Sequence, residues 1–155
     1  MKKRFTNVFI ILCIIIILLI ISIPIIITCG NDRFAENVVS ELKSTPLPSN
    51  TEIVANKSIA GKLSGNGNGM QYLGVIVVKS ELNNEQLNTY YNNYRENSWD
   101  FCISSIEGSD VDITDRQPIH FKELENLSDY SHYYAIYSWG ESPNSFFWDL
   151  DLRGH

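Results

Sequence analysis

The segment Asp110-Val111-Asp112-Ile113-Thr114-Asp115 places oxygen ligands at alternate positions, as the start of an EF-hand calcium loop does. Such a loop needs Gly at position 6 and Glu at position 12. Asp115 and Phe121 stand there instead, and no helical pattern flanks the segment. With Val111 and Ile113 between the acids, a short solvated strand is the better reading. Gly61-Lys62-Leu63-Ser64-Gly65 invites comparison with a phosphate-binding loop. Its Lys follows the first Gly instead of the last, and a strand pattern comes next where a P-loop leads into a helix. A hairpin turn fits it better. His120, His132 and His155 lack the i, i+4 pairing of a zinc helix, and Cys102 has no sequence context of a nucleophile. Neither a metal nor a cofactor is expected, and no catalytic residue is assigned.

Asp149 and Asp151 share a face of a candidate strand and could mimic the paired carboxylates of a hydrolase. Acids on the wet face of that strand are the plainer explanation. Around them lies a dense aromatic run containing Tyr130, Tyr133, Tyr134, Tyr137, Trp139, Phe146, Phe147 and Trp148. Strand alternation sends half of these to a core and leaves Tyr134 and Phe147 among the acids. The candidate binding surface is therefore Tyr134, Trp139, Phe147, Asp149 and Asp151, suited to a protein contact or to stacking on sugar rings.

The elements that position these residues begin with a hydrophobic anchor. Met1-Lys2-Lys3-Arg4 is basic, and the run from Val8 to Ile27 carries no charge. At about 1.5 Å per residue this run matches the roughly 30 Å hydrocarbon core of a bilayer. A cleavable signal has a shorter apolar stretch ending in small residues, whereas Ile25-Ile26-Ile27 stands at that place. A retained membrane span is the favoured reading. The competing one makes Cys29 a lipidation site, with Ile26-Ile27-Thr28-Cys29-Gly30 as a loose lipobox.

The basic residues ahead of the span put the N-terminus in the cytoplasm and the rest outside the cell membrane. Setting aside Lys2, Lys3 and Arg4 leaves nine basic residues against eighteen acids, a formal charge of −9 on the outer part. That sign argues against nucleic acid and against binding to anionic headgroups. The expected organisation is a cytoplasmic N-terminus over residues 1–7, an anchor over 8–28, a juxtamembrane helix and linker over 29–50, and an extracytoplasmic domain over 51–155.

Within the outer part, Phe34, Val38 and Leu42 recur every four residues beside Ala35 and Val39, predicting a helix that Asn31 or Asp32 caps and Pro46 ends. Both a continuous passage from the span and a break at Gly30 fit. Residues 52–63 and 70–79 read as a hairpin across the Gly/Asn loop. Asn83 and Gln86 make a capping box, Leu82 and Leu87 a hydrophobic staple, and Leu87, Tyr90, Tyr91 and Tyr94 a stripe on a helix ending near Asn97. Period-two alternation follows in Trp99, Phe101 and Ile103, in Val111 and Ile113, and in residues 133–139 and 146–153, the last two as a hairpin. The expected fold class is α+β: an N-terminal transmembrane helix, then a two-layer domain with a mostly antiparallel sheet packed by two helices.

Leu47-Pro48 with Thr51-Glu52, then Glu81-Leu82, Leu87, Tyr90-Tyr91 and Trp99, resembles a pattern in small membrane-anchored or lipid-modified envelope proteins of bacteria. The resemblance covers about the middle third of the domain and implies an envelope location without transferring any catalytic residue. The function expected from these features is that of a non-enzymatic, protein-binding module on a membrane tether. A wall-glycan-binding module is the alternative.

Overall fold

The computed structural model describes residues 2–66, 69–94, 101–140, 143 and 145–154. Its first element, α1 (Lys2–Ser44), is one uninterrupted helix that includes Pro24 and Gly30. Of the two alternatives at Gly30, continuity holds. Asn31 and Asp32 consequently lie inside a helix, not at a cap. From Val8 to Ile26 the side chains are exposed or nearly so, and the segment is long and apolar enough to cross a membrane. From Ile27 onward the same helix becomes part of a folded core, with Ile27, Asn31, Ala35, Val38, Val39 and Leu42 buried.

The sheet explains that change. Strands β1 (Thr51–Gly61), β2 (Gln71–Ser80), β3 (Cys102–Ser105) and β6 (Tyr133–Gly140) form one antiparallel sheet in the order β1-β2-β6-β3. Thus β1 and β2 are the expected hairpin. A two-stranded ribbon, β4 (Asp110–Val111) with β5 (Ile119–His120), forms a separate ladder. The helix α2 (Asn84–Asn92) joins β2 to the region before β3. It starts on the expected capping box, with Asn83 accepting from the Gln86 N–H and the Gln86 side chain accepting from the Asn83 N–H at 2.9 Å each. It ends at Asn92, short of the expected end, so Leu87 and Tyr91 are buried while Tyr94 is exposed. Trp99, Asn97 and His155 fall outside the described residues.

α1 and α2 pack on one face of the sheet, against Tyr72, Ile76, Val78, Tyr134 and Ile136. α1 comes close because the strand neighbours Gly74 and Gly140 carry no side chain. A Cβ on Gly74 would meet Val38 Cγ1 at 2.7 Å, and one on Gly140 would meet Val38 Cγ2 at 2.6 Å. The opposite face is covered too, contrary to the single buried face that strict alternation predicts. Leu73, Val75 and Val77 of β2 and Ala135 of β6 pack under Val111, Ile119, Phe121 and Leu124, from β4, β5 and the 3₁₀ turn Lys122–Leu124. Only Asp110–Val111 of the predicted acidic strand is strand.

The largest departure is at the C-terminus. Residues 146–153 do not pair with β6. They wind into two 3₁₀ turns, Trp148–Leu150 and Leu152–Gly154, closed by bonds such as Trp148 N–H to Ser145 O at 3.2 Å and Asp149 N–H to Phe146 O at 3.1 Å. This segment lies against α1 at the point where the exposed part of the helix ends.

Candidate binding surface

The residues expected to share one face are dispersed. Tyr134 is buried between β6 and the helical layer, at 6% exposure, and cannot serve as an open platform. The cause is the burial of both faces of β6. Trp139, half-buried, packs on the opposite core beside Leu73, its cross-strand partner. Phe147 is half-buried and meets Trp148 edge to face, with ring centroids 5.4 Å apart. Asp149 accepts the Met70 N–H at 3.0 Å, tying the C-terminal turn to the β1–β2 loop. Asp151 is 3% exposed, the reverse of a wet-face acid.

Asp151 belongs to a connected polar group. The Arg153 Nη2 donates to Asp151 Oδ2 at 2.7 Å and to Thr28 O at 3.2 Å, while Nη1 donates to Asp32 Oδ1 at 2.6 Å. Asn31, fully buried on α1, donates through Nδ2 to Asp151 Oδ2 and to Trp148 O at 3.0 Å each. Its Oδ1 accepts from the Tyr72 hydroxyl at 2.7 Å. Arg153, then Asn31, hold the Asp151 carboxyl down at about 2. Burial, then the charges of Asp149 and Asp151, push the Tyr72 phenol up to about 12. These bonds make the group a clasp between the C-terminus and α1. Sequence reasoning missed it because its members lie up to 125 positions apart.

Elsewhere the polar groups are spread. His120 is held between Asp110 and Glu125, at 2.8 Å from each, and these bonds raise its pKa. Asp115 instead accepts from the Ser64 hydroxyl at 2.6 Å and the Gly65 N–H at 2.8 Å, which lowers its pKa. The acids that invited a calcium reading therefore serve two different structures. Gly65, at φ 70°, uses its freedom in a turn that leads into β2, and its N–H goes to Asp115 rather than to a phosphate. Among the described residues no group of three or more His, Cys, Asp or Glu could hold a metal ion.

No family model, curated protein or solved structure matches this chain. Interaction surfaces must therefore be read from geometry alone. Two stand at the end of the domain farthest along α1 from the apolar segment, or along its side. One is a shallow cleft of about 560 Å³ lined by Asn50, Thr51, Glu52, Lys79, Ser80, Glu81 and His132. The other is the outer edge of β1, with which no strand pairs among the described residues. Along that edge Asn56, Lys57 and Ser58 are exposed in succession, after a bulge between Ile53 and Ala55.

Proposed function

We propose that the chain is a single-pass membrane protein with a cytoplasmic N-terminus and an extracytoplasmic domain that binds another protein of the cell envelope. The observation that carries the binding role is the free edge of β1. Such an edge offers a row of backbone N–H and C=O groups to an extended segment of a partner, which adds to the sheet as a fifth strand. The bulge and Lys57 guard it against indiscriminate pairing, which favours a specific partner over self-association.

Anchoring by the apolar helix is supported by its length and by the basic residues that precede it. Retention of the span is favoured over lipidation at Cys29. Ile27 is buried at 2% and Thr28 O accepts from Arg153, and cleavage ahead of Cys29 would remove both from the fold. The wall-glycan reading loses support with Tyr134 inside the core and Trp139 packed against it.

The test is photo-crosslinking in intact cells from full-length protein carrying a crosslinking side chain at Asn56 or Ser58, with Glu107 as the control site. One reproducible protein captured from the β1 sites and not from Glu107 supports strand addition. Equal capture from all three sites, or none from β1, rejects it.

A further inference from the structure

We propose that residues 146–153, the C-terminal collar of the domain, dock on the membrane that α1 crosses, seating Phe146, Leu150 and Leu152 at the boundary between lipid headgroups and acyl chains. This rests on the single-pass reading above.

Among the described residues, the collar carries the exposed large hydrophobics beyond the apolar segment of α1, apart from Tyr94. Phe146 is 77% exposed, Leu150 50% and Leu152 84%. Arg153 and Asn31 hold Asp151 inside, and the leucines on either side of it turn outward. On a domain resting on lipid, the surface those leucines meet is apolar.

Contacts to α1 fix the height of the collar. Arg153 reaches Thr28 O and Asp32, Trp148 lies on Gly30, and Trp148 O accepts from Asn31. Thr28 and Asp32 are one and five residues past Ile27, hence roughly 1.5 to 7.5 Å beyond the apolar run along the helix. The headgroup layer on each side of a bilayer is about 5 to 8 Å thick. The collar therefore stands beside α1 within that layer. Its composition is that of an interfacial segment: Trp148 at the helix boundary, an Arg whose charge is paired, and outward Phe and Leu. Lys62 and Arg116 belong to the same end of the domain. The Lys62 N–H donates to Arg153 O at 3.1 Å, and Asp115, the neighbour of Arg116, donates its N–H to Leu63 O at 3.1 Å. Docking at this end leaves β1's edge and the distal cleft turned along and away from the membrane.

The experiment uses the full chain in phosphatidylcholine vesicles, with Cys13, Cys29 and Cys102 replaced by Ser. A fluorophore is attached through Leu152→Cys, Ile17→Cys or Glu52→Cys, and quenching by lipids spin-labelled near the headgroup and in the acyl chain is read at each. Docking predicts strong quenching of the 152 probe by the headgroup-proximal label, strong quenching of the 17 probe by the acyl label, and none at 52. A quenched 17 probe with a 152 probe as bright as that at 52 overturns docking and leaves the anchor standing. An unquenched 17 probe overturns the anchor and the docking together. Unquenched 152 probes that instead form disulfide-linked dimers when left unlabelled would assign the collar to a second copy and overturn it as well.

Discussion

Trp148 lays its indole on α1 at Gly30, where a Cβ would overlap the ring and meet its Cη2 atom at 2.7 Å. Phe34, one turn further along α1, closes the socket edge to face, with ring centroids 5.1 Å apart. A glycine inside a long helix is costly, by about 1 kcal/mol relative to Ala. Its presence here is explained by the ring it admits.

Two effects therefore compete in Gly30→Ala. Helix propensity favours the Ala by about 1 kcal/mol, and overpacking against Trp148 opposes it by about 1–3 kcal/mol. Because the overlap is with a rigid ring, overpacking should win. Thermal unfolding of the full chain in detergent is expected to show a lower Tm, with the C-terminal segment cleaved faster by protease. An unchanged or raised Tm would mean that the indole does not sit in this socket.

Asn31→Leu should be more damaging than its conservative volume suggests. It leaves the buried Tyr72 hydroxyl without a partner, at about 1–3 kcal/mol, while Asp151 Oδ2 keeps Arg153. Denaturant unfolding should show a loss of about 1–3 kcal/mol. A loss below about 0.5 kcal/mol would show that the clasp contributes little.

Asp151 gives the fold an acid-labile point. Its pKa falls from the ordinary 3.8 to about 2 on folding, so its contribution is fully present above pH 3.8 and is lost as pH drops from there through 2. The amount at stake is about 2 kcal/mol. Wild-type stability measured from pH 5 to 2 should fall more steeply than that of Asp151→Asn, which starts lower. Parallel curves would contradict this assignment.

His120 should titrate in the opposite sense. Its folded pKa is raised by Asp110 first and Glu125 second, so its contribution is present below about 6.5 and disappears as pH rises through the raised value. An NMR titration of its ring protons should place the midpoint above that of an exposed His, and Asp110→Asn should bring it down. A midpoint that ignores the Asn substitution would show that the two side chains do not pair in solution.

How much of this was legible in the sequence depends on what each signal measures. The apolar run, the hairpin and the capping box of Asn83 and Gln86 are local, and local chemistry decides them. The C-terminal pattern Phe146, Trp148, Leu150, Leu152 is local too, yet it misled. Alternation says that two faces differ, not which one meets protein. In the structure Leu152 faces outward and Asp151 inward, because Arg153 and Asn31 give the acid better partners inside than water does outside. Tyr134 lies inside because both faces of β6 are covered, and alternation carries no information when neither face is wet. The clasp itself joins Thr28, Asn31 and Asp32 to Tyr72, Trp148, Asp151 and Arg153, and nothing short of the fold brings these together.

The central claim is that one continuous helix crosses the membrane and enters the outer domain. It is tested most directly by membrane-impermeant thiol labelling in intact cells, in a chain whose three native cysteines are replaced by Ser. A Cys introduced by Ser58→Cys should label in intact cells, and one introduced by Lys3→Cys only after permeabilisation. The reverse pattern, or protection of both sites until permeabilisation, would contradict it.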